Sequence, residues 1–154
     1  MEIVLIRQNH PFWNKTISFA ENCSWKAGSA LAKMMRNNSF LDWERVIVAN
    51  GNENIIGYCT FTEKDELPDT YEYTPFIGFM FVDENYRRKR ISEQMIKKGA
   101  EYAKELNYML CSQWAESVAN NDRPYLIKWI EEHTGDAGES GVGRTDYVIH
   151  NEAR

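Results

Sequence analysis

The sequence predicts an α/β fold, a mixed central β-sheet flanked by helices, and three observations carry that prediction. Short runs rich in branched and aromatic residues alternate with amphipathic stretches of helical period along the 154 residues. A hydrophobic fraction of 43% with 13% aromatic residues belongs to an ordered core, not to a disordered chain. The apolar run Phe76–Val82 is followed by a helical stretch and then by a second apolar run, Tyr108–Trp114. Two strands joined through a helix are expected to lie parallel.

Glu2 to Arg7 (EIVLIR) reads as the first strand. Asn9 is placed to cap a helix beginning near Pro11, with Trp13, Ile17 and Ala20 on its inner face. Ser24 is placed to cap a second helix, SWKAGSALAKMMRNN, with Trp25, Gly28, Ala32 and Met35 as its buried stripe. Trp43 to Ala49 and Ile55 to Thr62 read as a hairpin around Asn50-Gly51-Asn52. A polar loop from Glu63 to Thr74 leads to the strand Phe76–Val82 and a helix with Ile91, Met95, Gly99, Tyr102 and Leu106 on one face. Tyr108–Trp114 is the next strand, and Pro124 opens another helix, PYLIKWIEEH. A glycine-rich loop, Gly135 to Gly143, leads to a last strand, Thr145–His150.

Length and the absence of repeats or a linker make residues 1–154 one domain. No apolar run is long enough to span a bilayer, and the N-terminus has no signal pattern, so no membrane is expected. Three widely spaced cysteines, Cys23, Cys59 and Cys111, point to reduced thiols and a cytoplasmic location. A net charge of −5 argues against a general nucleic-acid binder. The positive charge of interest is local: Arg87-Arg88-Lys89-Arg90, between the strand Phe76–Val82 and its helix.

Strand, basic turn and helix together make an anion trap. The first amides of a helix lack intrahelical acceptors, and the helix dipole adds partial positive charge there. A phosphate accepts those hydrogen bonds while arginines clamp its edges. Positive side chains are unfavourable at a helix start without such a ligand.

The segment Val82-Asp83-Glu84-Asn85-Tyr86-Arg87-Arg88-Lys89-Arg90-Ile91-Ser92 resembles the acetyl-CoA signature of the GNAT superfamily of N-acyltransferases. Val82, Tyr86 and Arg87 match that pattern, and Ser92 is small where the family has Gly or Ala. Glu84 stands at the usual Pro and Arg90 at the first Gly. The order of elements is similar to the superfamily's over nearly the whole chain. The resemblance implies a GNAT-like fold with acetyl-CoA as cosubstrate. It implies that the amides between Arg88 and Ser92, with Arg87, Lys89, Arg90 and Ile91 around them, hold the pyrophosphate. Backbone groups at Phe81 and Val82 would pair with the pantetheine arm, and a backbone amide of the same strand would serve as oxyanion donor.

Acetyl transfer from a thioester to an amine needs a neutral amine, an oxyanion donor and a proton for the departing thiolate. Many members of the superfamily carry a carboxylate early on the strand before the motif, where Phe76 stands here. Glu72, just upstream, and Glu116, just past the next strand, are the acids placed to relay the proton, and a water chain would serve as well. The family's general acid is a helical tyrosine whose position reads Lys128, so Tyr125, a turn earlier, is the nearest phenol. A packing role for that aromatic is the alternative.

No metal is expected, because His10, His133 and His150 have no ligand spacing. The loop GDAGESGVG lacks the Gly-Lys-Ser/Thr ending of a phosphate loop and reads as a flap. The acid-rich stretch Glu63–Glu72, with Trp25, Tyr71 and Tyr73 as aromatic walls, suits a cationic amine. The expected function is N-acetylation of a small-molecule or peptidyl primary amine in a ternary complex, with a homodimer among the assemblies this allows. The alternative is a non-catalytic acyl-CoA-binding or sensing domain on the same fold.

Overall fold

The computed structural model describes residues 1–64, residues 74–107 and the strand at 147–148. Among the described residues five strands form one sheet in the order β1 (Glu2–Ile6), β2 (Arg45–Gly51), β3 (Asn54–Thr62), β4 (Phe76–Val82) and β5 (Tyr147–Val148). All four pairings are antiparallel. The parallel neighbour expected for β4, Tyr108–Trp114, lies outside the described residues. The last strand, expected over Thr145–His150, is seen at Tyr147–Val148, paired with Ile77 and Phe76.

Among the described residues three helices pack on the sheet: α1 (Trp13–Asn22), α2 (Gly28–Arg36) and α3 (Ile91–Glu105). α3 covers one face, where Ile91, Met95, Ile96 and Tyr102 meet Ile47, Cys59, Phe61, Ile77 and Met80. α1 and α2 cover the other, where Trp13, Ile17, Leu31 and Met35 meet Val46, Val48, Tyr58 and Phe81. The stripe expected on α3 is the one buried, with Leu106 half-buried at its end. Its outer face carries ion pairs between Lys97 and Glu93 (3.1 Å) and between Lys98 and Glu101 (3.9 Å).

The two early helices start later than their capping residues suggest. α1 begins at Trp13 with Phe12 at its cap position, because a turn closed by the His10 amide on the Arg7 carbonyl (2.9 Å) takes up Asn9. The Phe12 side chain makes no capping bond, and the His10 ring Nδ1 accepts the Phe12 amide just ahead of the helix at 3.1 Å. α2 begins at Gly28, and the Ser24 hydroxyl donates to Glu84 Oε1 (3.0 Å) rather than capping it. Trp25 therefore lies in the turn before α2, while Gly28, Leu31, Ala32 and Met35 form the buried stripe.

The β2–β3 turn is centred on Asn52-Glu53, not on Gly51, which pairs with Asn54. Both central residues have positive φ, 52° and 66°, the twist that a two-residue hairpin needs. The buried carboxylate of Glu44 accepts the amides of Leu41 and Glu63, each at 2.8 Å, and so ties the entry of β2 to the end of β3. No helix among the described residues is long and apolar enough to cross a membrane.

Candidate functional site

The site is built at the end of β4, and β4 is irregular there for a reason visible in its register. Tyr58 pairs with Phe81, but Thr60 pairs with Gly78, so Phe79 and Met80 together stand opposite Cys59. Phe79 takes a positive φ of 48°. One extra residue reverses the alternation of side chains. Ile77 and Met80 therefore face α3, while Phe79 and Phe81 both face the α1–α2 side. The one sequence signal for this bulge is Gly78, a glycine inside an apolar strand.

The bulge creates an aromatic cluster. Trp25 lies parallel to Phe81, with ring centroids 6.4 Å apart and planes 5° apart, and meets Phe79 edge-on at 6.1 Å. Phe19 and Tyr58 complete it, each within 6.0 Å of Phe81. The Tyr58 hydroxyl lies 3.5 Å from Cys23 Sγ, and burial, assisted by that thiol, pushes its pKa far above the ordinary range. Trp25 was expected as a wall of an amine pocket. Its ring packs on the last residues of β4, and its partners Phe79 and Phe81 are side chains that sequence reasoning missed.

Beyond Val82 the chain turns sharply. The Asp83 amide donates to the Ile56 carbonyl (2.9 Å), and the Asp83 carboxylate accepts the Asn85 amide (2.8 Å), starting a 3-10 turn over Glu84–Tyr86. The Arg88 and Arg90 backbones then adopt left-handed geometry, φ 66° and 56°, on either side of Lys89. Arg90 is the N-cap of α3, and its carbonyl accepts the Gln94 amide to close the first turn. Its φ is positive, not the right-handed helical value an arginine prefers, and a glycine at that position would adopt it freely.

The amides of Ile91 and Ser92 belong to the first helical turn and have no acceptor within it. Alternating left-handed residues ahead of a helix fold successive N–H groups into a concave anion cradle. The side chains of Arg87, Arg88, Lys89 and Arg90 are all exposed around it. Phe81, Val82, Arg87, Arg88, Lys89, Arg90, Ile91 and Ser92, the set read as cofactor-binding, all lie along this one junction of β4, turn and α3. Exposed basic side chains beside helix-start amides are the chemistry that suits a pyrophosphate.

The Arg87 side chain, however, folds back over β4. Its Nε donates to the Val82 carbonyl (3.2 Å), its guanidinium lies 5.9 Å from the Phe81 ring centroid, and it pairs with Glu84 at 3.8 Å. Lys89 Nζ sits 5.0 Å from the Tyr86 ring centroid. Phe76, at the position of the family's early carboxylate, is buried. Glu72, Glu116 and Tyr125 lie outside the described residues, as do Tyr71, Tyr73, Cys111 and the glycine-rich loop. Among the described residues no cluster of His, Cys, Asp and Glu converges to hold a metal.

A family model described as the acetyltransferase (GNAT) family matches residues 13–124, most of the chain. The chain belongs to the GNAT acetyltransferase family. Acetyl-CoA is accordingly its cosubstrate. A GNAT-family acetyltransferase from Staphylococcus aureus Mu50 shares the fold with a TM-score of 0.52 at 16% identity, over 97% of this chain and 99% of that one. The aminoglycoside 6'-N-acetyltransferase AAC(6')-Ig from Acinetobacter haemolyticus aligns with a TM-score of 0.51 at 15% identity, over 70% and 74%. No curated protein matches the chain. This GNAT domain keeps the β4–turn–α3 unit of the signature while carrying Glu84 and Arg90 where the signature has Pro and Gly.

Proposed function

We propose that this GNAT acetyltransferase is an N-acetyltransferase that moves the acetyl group of acetyl-CoA to a primary amine, by direct attack in a ternary complex. The observation that carries the reading is the basic turn with left-handed residues at Arg88 and Arg90 leading into the first amides of α3, beside a bulged β4. The thioester supplies an activated acyl group, so the protein has mainly to position and polarise it.

In this reading the amides of Ile91 and Ser92 and the side chains of Arg88, Lys89 and Arg90 hold the cofactor phosphates. The backbone of Phe81 and Val82 aligns the pantetheine arm. An amide in the β4 bulge donates to the thioester oxygen as negative charge develops there. Glu72 or Glu116 relays the proton from the attacking amine, and Tyr125 protonates the departing thiolate. The acceptor is a small molecule or the amine of a peptide, entering beside Trp25.

Calorimetric titration with acetyl-CoA and a thiol-release assay over a panel of amines test the proposal together. Wild-type chain should bind acetyl-CoA and release free thiol only when an amine is present. Arg88→Glu should weaken acetyl-CoA binding roughly tenfold or more, the size of a lost charge-assisted hydrogen bond plus added repulsion. Binding without amine-dependent thiol release would mark an acyl-CoA-binding or sensing domain instead, and absence of binding would end the cofactor assignment.

A further inference from the structure

Arg87 and Glu84 form a closed set of contacts that phosphate binding alone does not call for. Arg87 Nε occupies the Val82 carbonyl, the guanidinium covers the Phe81 ring, and Glu84 Oε1 holds a terminal nitrogen at 3.8 Å. The same Glu84 oxygen accepts the Ser24 hydroxyl at 3.0 Å, so the carboxylate is itself anchored to the turn between α1 and α2. Resting on the reading above, Val82 is a backbone group that the pantetheine arm is to meet. In the free chain, then, an arginine sits where the thioester's arm has to lie.

We propose that the Arg87–Glu84 pair is a specificity device that restricts the thioester groove to ligands carrying a diphosphate. Arg87 leaves the Val82 carbonyl when a stronger acceptor arrives beside it, and it lies only three residues ahead of the α3 N-cap, where the phosphates would sit. A phosphate oxygen forms a shorter, charge-assisted bond than a neutral carbonyl does. An acyl-CoA therefore brings the group that removes the arginine from its own path. A phosphate-free acyl thioester, such as S-acetylpantetheine, has to displace Arg87 with nothing to offer it. Glu84, where the family signature has Pro, sets how firmly the arginine is held: a proline could neither pair with Arg87 nor accept from Ser24.

The test is equilibrium binding of acetyl-CoA and of S-acetylpantetheine to wild type, Arg87→Ala and Glu84→Gln, with melting curves confirming that each variant folds. The two ligands should respond to Arg87→Ala in opposite directions. Acetyl-CoA should bind roughly tenfold more weakly, through the lost phosphate contact. S-acetylpantetheine should bind about threefold more tightly, the scale of one exposed polar contact removed from its path. Glu84→Gln, at an exposed side chain, should tighten S-acetylpantetheine about twofold, and because that ligand is uncharged the gain cannot come from relieved repulsion. S-acetylpantetheine binding that is unchanged or weaker in both variants would overturn the device while leaving the acetyl-CoA assignment intact. Wild-type chain that binds no acetyl-CoA would overturn both.

Discussion

The face of the sheet under α3 is aliphatic around Ile77 and Met80 and keeps its aromatic contacts to Trp43, Phe61 and Tyr102, whereas the face under α1 and α2 becomes aromatic where it reaches the end of β4. On the first, Ile47, Ile77 and Met80 meet Ile91, Met95 and Ile96. On the second, Phe19, Trp25, Tyr58, Phe79 and Phe81 cluster against the turn between α1 and α2, and Ser24 reaches across to Glu84. Aliphatic chains interdigitate without orientational demands, which suits a face whose task is to hold α3 and its N-terminus in place. Aromatic rings present flat walls and specific edge-to-face geometries, which lock the end of β4 against the turn between α1 and α2. The bulge sharpens the difference, because it puts Ile77 on the face opposite Phe79 and Phe81, three positions that a regular strand would place on one side.

Two glycines give the largest contrast between the faces. A Cβ at Gly28, between α1 and α2, would stand 2.1 Å from the Ala20 carbonyl oxygen and 2.6 Å from Cys23 Sγ. A Cβ at Gly99, on α3, would meet only side-chain ends, Ile77 Cδ1 at 2.7 Å and Ile47 Cδ1 at 3.1 Å. Gly28→Ala should therefore destabilise by about 3 kcal/mol or more, since backbone has to move. Gly99→Ala should change stability by less than about 1 kcal/mol, as Ala gains helix propensity while the isoleucine tips yield. Equal losses in urea melts would show that the α1–α2 approach is no tighter than that of α3.

A smaller effect separates the faces by pH. Tyr58 and Cys59 are neighbours on β3 that point to opposite faces, and burial pushes the pKa of each well above its usual range. Both groups stay protonated in the folded chain while the unfolded chain ionises, so the unfolded state binds fewer protons at alkaline pH. Their contribution to stability is complete below the unfolded pKa and falls as pH rises beyond it. Loss should begin near pH ~8.5 for Cys59 and near ~10 for Tyr58, at up to about 1.4 kcal/mol per pH unit for each group. Melting temperature against pH should lose its earlier decline in Cys59→Ala and its later, steeper part in Tyr58→Phe. Profiles identical to wild type would mean that neither face keeps out water as its packing indicates.

The smallest change is expected at the junction of β4 with α3. Left-handed geometry at Arg90 costs a side-chain-bearing residue ~1–2 kcal/mol, part of which glycine recovers against its own backbone entropy. Arg90→Gly should raise stability by roughly 0.5–1 kcal/mol. A loss of stability would show that the arginine side chain holds the turn more strongly than its backbone strains it.

Much of this molecule was legible in residue order because the signals were local. The run Phe76–Val82 is bounded as read, and the period of Ile91, Met95, Gly99 and Tyr102 names the buried face of α3. The basic turn was legible as a turn into a helix start, which the structure places at Arg87–Arg90 ahead of α3. Local signals failed where a side chain had two partners to choose from. Ser24 and Asn9 are good caps by type, yet Ser24 goes to Glu84, sixty positions along the chain, and Asn9 lies in a turn ahead of α1. The shift of the hairpin turn onto Asn52-Glu53 and the bulge at Phe79 depend on register between strands, which no single strand encodes. Arg87 shows the limit most clearly: its charge and place in the signature follow from sequence alone. That it rests on Val82 and Phe81 under the hold of Glu84 was decided only by tertiary structure, because a long flexible cation takes whichever acceptor folding brings within reach.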